Sequence, residues 1–486
     1  MFLSLLRIEN FRAFGEGSDG LTIELNAGLT AIVGENDTGK TAIMDALRLA
    51  LGTRDQEFFR VEETDFHHRK KDGCSAKEIR IQCRFDGLTL ADKAAFAEHL
   101  TYEIGNGSSL AILILNWKAT ASPVKAGARR FTYVETRSGK AADGPQFDHA
   151  ARALLCATYL RPLRDAERAM SAGRGSRLSQ VLQHTKEIRE FGVGYDHAGG
   201  PPSDPKTLSV LGIGDFANAL LSQHQGVKTA AANLNSRYLQ QLSFAGAQLE
   251  GQISVSGSKG ETLSRLRALL EKLDLALLDS SAPDTPPNRG LGSNNMLFMA
   301  CELLLLGSEA DGLPLLLIEE PEAHLHPQRQ LRLMQFLQEK VKEARADGQK
   351  IQIILTTHSP NLASVIDLNN LLLLQGRKGF SLAAGKTELS SSDYEFLARF
   401  LDVTKANLFF ARGVLIVEGD AENILLPTIA RLIGKDLTES GVSIVNVGGI
   451  GLRRFARIFQ RKDTAADGSV EIPVSALCRN DTWLCE

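Results

Sequence analysis

Short runs of apolar residues separated by polar turns dominate the first part of the chain, as is typical of β-strands. These runs predict strands at residues 3–8, 21–25 and 29–33, and the polar–apolar alternation of residues 78–85 predicts a half-exposed strand. Residues 41–51 instead space their apolar side chains as one face of a helix does. This mixture of periods predicts an α/β fold.

The pattern changes between about residues 165 and 280, where apolar side chains recur at helical spacing over long stretches. Helices are predicted over Asp215–Phe244 and Glu261–Leu278. A Gly/Pro-rich loop at 199–205 precedes them, and a Pro-rich linker at 280–287 follows. Because strand-like runs resume after the linker, we interpret this block as a helical insert in an α/β domain.

Two of the later apolar runs end abruptly in polar residues, as buried parallel strands do. Residues 315–318 run directly into Glu319 and Glu320, and the run that starts at Ile351 leads to His358. Carboxylates at the end of a core strand are costly to bury unless a metal or a partner compensates them. One could ligate Mg²⁺ and the other could orient or deprotonate a water, but a strand that enters a polar surface loop would show the same residues.

Residues 34–41, Gly-Glu-Asn-Asp-Thr-Gly-Lys-Thr, favour the first interpretation. They fit the phosphate-loop pattern G-x-x-x-x-G-K-[ST] at every fixed position, between a predicted strand and a predicted helix. Its glycines let backbone N–H groups surround phosphates, while Lys40 is expected to reach the β- and γ-phosphates and Thr41 to take one Mg²⁺ position. The nucleotide-binding residues predicted here are Gly34, Asn36, Gly39, Lys40 and Thr41.

A second anion site is possible at residues 288–295, Asn-Arg-Gly-Leu-Gly-Ser-Asn-Asn, ahead of an apolar helix predicted at 296–306. Simple capping of that helix by Ser293 or Asn294 would explain the same residues. His358 has two interpretations as well, because it could contact the γ-phosphate or merely cap a strand end.

Composition narrows the class of protein. The 486 residues are 43% hydrophobic and 23% charged, which is ordinary for a soluble protein of two or three domains. The net charge of −3 provides no overall basic surface, so DNA contacts would have to come from a local patch. Six cysteines without C-x-x-C spacing argue against a zinc site and fit a reducing cytoplasm. No apolar run approaches membrane-spanning length.

A separate strand–helix–strand series is predicted from about residue 405 onward. Its first strand, 413–417, ends at Glu418, and Glu422 follows near the start of a helix. The two carboxylates would lie one helical turn apart if the helix begins early, so both could face one metal. An acidic junction that only favours a helix N-terminus would look the same.

Taken in order, four motifs carry a family resemblance: the phosphate loop, G-L-G-S-N-N, L-L-L-I-E-E-P-E-A-H-L-H-P and T-T-H-S-P. They resemble ABC-type ATPases of the RecF/SMC-like kind. More closely, they resemble the OLD (overcoming lysogenisation defect) family of ATPase-plus-Toprim nucleases of phages and bacteria. The opening R-I-E-N-F-R-A-F is also similar to that family's first strands, while the helical insert matches only in placement.

The resemblance implies an α/β fold with four regions along the chain. An ABC-type P-loop ATPase would be divided between residues 1–165 and 286–404. Residues 166–285 would be the helical insert and mediate dimerisation, and residues 405–486 would be an incomplete Toprim unit.

The resemblance also implies a role for each matching residue of the ATPase. Lys40 and Thr41 would bind phosphate and Mg²⁺. Glu319 would hold Mg²⁺ through water, Glu320 would position the hydrolytic water and His358 would be the switch histidine.

The G-L-G-S-N-N segment is implied to act across a homodimer. Gly292, Ser293 and Asn294 would form the signature segment that reaches the nucleotide of a partner subunit. The usual signature has a second glycine where Asn294 stands, so this contact departs from the family pattern.

In the Toprim unit, Glu418 is implied to support phosphodiester cleavage and, with Glu422 and Asp481, to bind Mg²⁺ or Mn²⁺. A Toprim strand normally ends in D-x-D, but Arg479 stands at the first aspartate, where it would repel the cations. Because the sequence stops at Glu486, a truncation with impaired nuclease activity is expected.

The function expected from these residues is that of an ATP-dependent, metal-dependent DNA endonuclease of the cytoplasm. The alternative is a nucleotide-switched sensor or scaffold ATPase in phage defence or DNA repair. Such a protein would lack nuclease activity and would act with a partner protein of a defence system.

Overall fold

The computed structural model describes all of the chain except residues 55–58, 69–73, 106–107, 123–131, 162–171, 174–175, 197–199, 240–250, 252, 256–260, 276–290, 309–311, 346–347, 450 and 478–486. The chain divides into two compact units. The first comprises residues 1–162 and 310–486, and the second comprises residues 163–309.

The first unit contains the strands of three sheets. The strands are β1 Phe2–Glu9, β2 Leu21–Glu24, β3 Leu29–Val33, β4 Glu78–Asp86, β5 Leu100–Gly105, β6 Ser108–Ala121, β7 Thr132–Ser138, β8 Thr158–Leu160, β9 Leu315–Glu319, β10 Gln352–Thr356, β11 Leu371–Gln375, β12 Lys378–Ser381, β13 Gly413–Val417, β14 Val442–Asn446 and β15 Val474–Leu477. The strands predicted at 3–8, 21–25, 29–33 and 78–85 are thereby confirmed to within one residue at either end.

Helices accompany these sheets and make up the second unit's described elements. The α-helices are α1 Lys40–Leu51, α2 Leu90–Ala95, α3 His149–Leu154, α4 Arg177–His184, α5 Lys186–Glu190, α6 Val210–Gln223, α7 Gln225–Leu234, α8 Thr262–Leu270, α9 Leu291–Ser308, α10 Pro327–Lys340, α11 Pro360–Ala363, α12 Ser391–Phe400, α13 Asp420–Leu432, α14 Leu452–Arg457 and α15 Thr464–Asp467. A 3₁₀ segment at Lys405–Phe410 leads into β13.

The central sheet has the order β12-β11-β3-β10-β9-β8 and is parallel except for β12. All residues of β3, β9 and β10 are buried, as expected for parallel strands covered on both faces. Thr356 of β10 pairs with Ile32 on one side and with Glu319 on the other. The loops that follow β3, β9 and β10 therefore emerge side by side at one edge, where ligands bind in open α/β sheets.

The N-terminal sheet is antiparallel, with the order β2-β1-β4-β6-β5 and with β7 also paired to β6. Helix α1 contacts both β4 of this sheet and β9 of the central sheet. This position explains why α1 is buried almost all round: Ile43 and Leu47 share one apolar cluster with Ile81 and Leu317. The phosphate loop that precedes α1 is thus anchored by the main core of the first unit.

The C-terminal sheet is parallel, with β13 between β14 and β15. Helix α13 connects β13 to β14, so the strand–helix–strand series predicted after residue 405 is confirmed.

The second unit corrects three predicted helix bounds. The helix predicted over Asp215–Phe244 is interrupted at His224, whose extended backbone (φ −67°, ψ 125°) closes α6 and starts α7. Helix α8 ends at Leu270 rather than Leu278. Helix α9 begins at Leu291, five residues before the predicted start at Met296. Apolar spacing does not reveal a single extended residue, which is why one long helix was predicted where the described residues form α6, α7 and a π-helical segment at Asn235–Leu239. Residues 240–244 of the predicted helix lie outside the described residues.

Candidate functional site

The phosphate loop can adopt its path only because two of its positions are glycine. Gly34 has φ 148°, and a Cβ there would lie 2.3 Å from the carbonyl oxygen of Leu374. Gly39 has φ 104°, and its Cβ would lie 2.8 Å from the ring of Phe14. Both the left-handed backbone and the close neighbours exclude a side chain. The fixed glycines of the motif are therefore explained by packing against β11 and against the loop after β1.

Lys40 opens α1 and is buried, with its ammonium group held by the phosphate loop itself. Its Nζ donates hydrogen bonds to the carbonyl oxygens of Gly34 at 2.8 Å and Glu35 at 2.6 Å. Burial lowers the pKa of Lys40 to about 8, although the charge of Glu320 opposes this shift. Thr41 follows in the first helical turn and is exposed, while Asn36 is exposed within the loop. A bound phosphate group would add a further counter-charge beside the buried ammonium.

Glu319 is the last residue of β9 and its side chain is buried. Its Oε2 accepts a hydrogen bond of 2.6 Å from the hydroxyl of Tyr159 on β8. Burial, reinforced by this hydrogen bond to Glu319, raises the pKa of Tyr159, so the hydroxyl keeps its proton and remains a donor. Tyr159 orients the carboxylate that was predicted to serve Mg²⁺. Sequence reasoning missed Tyr159 because its strand of three residues is too short to show a period.

Glu320 and His358 meet in front of the phosphate loop. Glu320 has φ 46°, a left-handed conformation that costs energy in a residue other than glycine and that is concentrated at functional sites. Its N–H donates to the carbonyl of Thr356 at 3.0 Å, and its Oε1 lies 3.3 Å from His358 Nε2. Burial and the nearby charge of Lys40 lower the pKa of His358, which keeps the imidazole neutral near pH 7. At this separation a neutral imidazole with its proton on Nε2 can donate a hydrogen bond directly to the Glu320 carboxylate.

Glu322 fixes the loop that carries His358. Its Oε1 accepts hydrogen bonds from the Thr357 hydroxyl at 2.8 Å and from the His358 N–H at 2.7 Å. Burial raises the pKa of Glu322. This residue was not predicted as a site residue, although it lies in the same E-E-P-E segment as Glu319 and Glu320.

A cavity of about 760 Å³ opens beside these residues and is large enough for a nucleoside triphosphate. It is lined by Gly34, Glu35, Asn36, Asp37, Thr38, His358, Gly376, Arg377, Phe410 and Arg412. One cavity is thus lined by the phosphate loop, by the loop that carries His358 and by the segment immediately before β13.

The predicted signature residues lie in the second unit. Gly292 is buried, and Ser293 and Asn294 are half-buried, in the first turn of α9 rather than in a loop ahead of it. Within this unit α9 is tied to α4 by an ion pair of 2.7 Å between Arg177 and Glu302, both largely buried. That these residues contact a nucleotide of a second subunit stays a prediction.

The acidic residues of the C-terminal unit border the junction between β13 and α13. Glu418 follows β13, and its carbonyl accepts a hydrogen bond of 2.7 Å from the N–H of Gly449. Helix α13 begins only at Asp420, so the early helix start that would have placed Glu418 and Glu422 one helical turn apart does not occur. Gly419 is extended, and Glu422 Oε2 lies 3.3 Å from where its Cβ would be. Glu422 therefore folds back toward the strand end.

Metal ligation by this unit is only partly defined by the described residues. Among them, no three His, Cys, Asp or Glu side chains are grouped so as to hold a metal ion. Arg479 and Asp481, which bear on the predicted D-x-D element, lie outside the described residues.

In the described part of the chain no helix is long and apolar enough to span a membrane.

Models of known families match three parts of the chain. A model described as "Overcoming lysogenization defect protein-like, TOPRIM domain" matches residues 409–481. An "AAA domain" matches residues 5–133, and an "AAA ATPase domain" matches residues 243–363. These matches fall on both parts of the predicted ATPase and on the predicted Toprim unit.

Known proteins align over almost the whole chain. The "OLD nuclease" of Thermus scotoductus is 24% identical over 458 residues, which cover 92% of this chain and 77% of that protein. The "Uncharacterized protein YbjD" of Escherichia coli is 26% identical, over 95% of this chain and 78% of that protein. The "Endonuclease GajA" of Bacillus cereus strain VD045 is 22% identical, over 92% of this chain and 71% of that protein. The resemblance to OLD proteins and the α/β class with an ATPase and a C-terminal Toprim unit are confirmed.

Proposed function

We propose that the protein hydrolyses ATP and uses the nucleotide cycle to control metal-dependent cleavage of DNA by its Toprim unit. The observation that carries the ATPase half is the meeting of Lys40, Glu320 and His358 at the carboxyl edge of β3, β9 and β10. The nuclease half is supported by the Toprim match and by relatives named as a nuclease and an endonuclease.

In this proposal the residues from Gly34 to Lys40 hold the phosphates of ATP. Thr41 and Glu319 serve the Mg²⁺ ion, and the hydrogen bond from Tyr159 keeps the Glu319 carboxylate in place. Glu320 positions the hydrolytic water, and neutral His358 contacts the γ-phosphate.

A homodimer is part of the proposal. ABC-type sites of this kind are completed by a second subunit, and Gly292, Ser293 and Asn294 at the start of α9 are the residues proposed to reach the partner's nucleotide. A helix N-terminus suits a phosphate, because the first N–H groups of a helix have no partner within it. The helical insert at 166–285 is proposed to hold the dimer together.

For the Toprim unit we propose that Glu418 and Glu422 bind a divalent cation, Mg²⁺ or Mn²⁺, with Asp481 as a further ligand. Carboxylate oxygens are the ligands that both cations prefer. The metal would polarise the phosphodiester and activate a water. The scattered spacing of the six cysteines suits a cytoplasmic site of action on DNA.

A sensor or scaffold without nuclease activity is the less favoured function. It would need the ATPase alone, whereas the chain aligns with the named nucleases through the Toprim region as well.

Two assays test the two halves of the proposal. ATP turnover is expected in the wild type and abolished in Lys40→Ala, because the buried ammonium is the main cation at the phosphates. Nicking of supercoiled plasmid with Mg²⁺ or Mn²⁺ is expected in the wild type and abolished in Glu418→Ala. Glu439→Ala, which changes an exposed glutamate of the same unit, is the matched control and should nick normally.

The two assays distinguish a failure of the nuclease half of the proposal from a failure of the ATPase half. A wild type that hydrolyses ATP but does not nick DNA, or nicking that survives Glu418→Ala, would contradict the nuclease half alone. ATP turnover that survives Lys40→Ala would contradict the ATPase half.

A further inference from the structure

One ion pair connects the phosphate loop directly with the C-terminal unit. The Nε of Arg412 donates a hydrogen bond of 2.5 Å to Oε1 of Glu35, although the residues are 377 positions apart in the chain. Glu35 is the second residue of the phosphate loop, and Arg412 is the residue immediately before β13. A guanidinium group of the Toprim unit therefore stands at the edge of the nucleotide cavity.

A second arginine lines the same cavity. Arg377 lies in the two-residue turn between β11 and β12, where Gly376 and Arg377 both have positive φ, 53° and 74°, as a type I′ hairpin turn requires. Strand β11 is the strand against which Gly34 packs, so this turn borders the phosphate loop. The Arg377 guanidinium group has no hydrogen bond or ion pair with the side chain of another described residue. The cavity thus presents two guanidinium groups, of which only that of Arg412 is paired.

The ion pair between Arg412 and Glu35 can readily be replaced by an interaction of Arg412 with another anion. The Arg412 side chain is 68% exposed and that of Glu35 is 39% exposed, and ion pairs in such surroundings contribute little to stability. A phosphate offers a guanidinium group several charged oxygens and bidentate geometry, which is a stronger interaction than a single carboxylate contact. A bound triphosphate would also repel the Glu35 carboxylate beside it.

Strand β13 provides a rigid connection from Arg412 to Glu418. The strand is paired along its length with β14 and over most of it with β15, and the N–H of Arg412 is bonded to the carbonyl of Gly441 at 2.9 Å. Arg412 lies at one end of β13 and Glu418 at the other, about 20 Å apart at ordinary strand rise. A movement of Arg412 would therefore be transmitted to the acidic junction.

We propose that Arg412 senses the γ-phosphate of ATP: it leaves Glu35 for the nucleotide and so couples the nucleotide state to the position of Glu418. This role rests on the proposed function, because it requires ATP in the phosphate loop. Arg412 acts here as a positioning residue of the Toprim unit, and Arg377 completes the cationic rim of the cavity.

The first test compares affinities for ADP and for a non-hydrolysable ATP analogue, measured by calorimetry on the full chain. Arg412→Ala is expected to weaken binding of the ATP analogue about tenfold, the size of one hydrogen bond to a charged group, and to leave ADP binding within about twofold. Arg412→Lys should recover part of the lost affinity for the ATP analogue, because lysine retains the positive charge but not the bidentate geometry of the guanidinium group. Arg453→Ala removes an exposed arginine of the same unit and should bind both nucleotides as the wild type does.

The second test measures coupling by hydrogen–deuterium exchange. Adding the ATP analogue should change exchange at the amides of residues 413–417 and 420–426 in the wild type and in Arg453→Ala, but not in Arg412→Ala. An equal loss of ADP and ATP-analogue affinity in Arg412→Ala, an unchanged ratio of the two, or an exchange response that survives the substitution would overturn the inference. A wild type that binds no ATP at all would refute the proposed function instead, so the two failures can be told apart.

Discussion

Two acidic strand ends in this protein differ in how their carboxylates are held. At the end of β9, the Glu319 carboxylate accepts a hydrogen bond from the Tyr159 hydroxyl. The Glu322 carboxylate accepts two hydrogen bonds from the loop that carries His358. At the end of β13, the N–H of Gly449 donates to the backbone carbonyl of Glu418, and the side-chain amide of Asn446 donates to the Asp420 carboxylate. The ATPase site is built from three neighbouring strands of one sheet, whereas Glu418 and Glu422, the described carboxylates of the proposed Toprim site, belong to one strand–helix junction.

The preorganisation of a site depends on how many structural elements contribute side chains to it. Side chains from separate strands can bond one another and lock each other's rotamers, which is what oriented catalytic groups need. Carboxylates on a single junction mostly repel one another until a cation neutralises them. The ATPase residues should therefore be sensitive to changes in their neighbours, and the Toprim residues mainly to the metal.

The largest effect is expected from Glu320→Gln. The amide keeps the size of the side chain but cannot act as a base, so ATP turnover should fall by roughly 10²- to 10³-fold with little change in nucleotide affinity. Single-turnover hydrolysis and calorimetry measure the two quantities. Turnover within a few-fold of the wild type would show that the left-handed Glu320 does not position the water.

Loss of the two hydrogen bonds that Glu322 accepts should have a smaller effect on ATP turnover. Glu322→Ala removes the acceptor of both hydrogen bonds to the His358 loop, and kcat is expected to fall about tenfold while KM changes little. Glu322→Gln is the matched control, because both bonds use Oε1 and an amide oxygen can accept them. Equal losses in the two variants would mean that the charge of Glu322, and not its hydrogen bonds, is what matters.

The pH dependence of nucleotide binding should report Lys40. Its pKa of about 8 means that the nucleotide-free protein loses the ammonium charge above that pH, whereas bound phosphate favours the protonated form. Affinity for ATP should therefore fall as pH rises from 8, by up to about tenfold per pH unit. Calorimetry at pH 8.5 in buffers of different ionisation enthalpy should detect proton uptake on binding. Binding without proton uptake at that pH would contradict the shifted pKa.

The smallest effects should be on stability, and they should differ between the two strand ends. Tyr159→Phe leaves the buried Glu319 carboxylate without its donor and should cost about 1–3 kcal/mol of unfolding free energy. Glu418→Ala truncates a half-buried side chain at the end of one strand, outside the core, and should cost about 0.5 kcal/mol. Chemical denaturation compares them directly. A larger loss for Glu418→Ala would mean that the Toprim junction is as firmly held as the ATPase site.

Much of the fold could be predicted from local pattern. Strands β1 to β4 and β9, helix α1 and the series from β13 to β14 were predicted closely, because fully buried or half-buried strands show their burial in the sequence. The helical insert was predicted less well. The interruption at His224 depends on a single backbone conformation that apolar spacing does not reveal, and residues 291–295 of α9 are mostly polar or glycine and show no helical apolar spacing.

The site residues likewise divide into those that a local motif predicts and those that it does not. Lys40, Glu319, Glu320 and His358 belong to contiguous motifs whose residue types are required by phosphate and metal chemistry. Tyr159 lies 160 residues from the carboxylate that it orients, and Arg412 lies 377 residues from Glu35. Neither residue stands in a motif, so no local signal could have identified it.

The sequence alone determined which chemical groups this protein has and at which strand ends they stand, because periodicity and motif spacing are properties of neighbouring residues. The tertiary structure decided which groups meet. The order β3-β10-β9 of the central sheet brings the phosphate loop, His358 and the two glutamates to one edge, and the packing of β11 and of the segment before β13 adds the arginines. Those contacts join distant parts of the chain, and strand order within a sheet cannot be inferred from the pattern of any single strand.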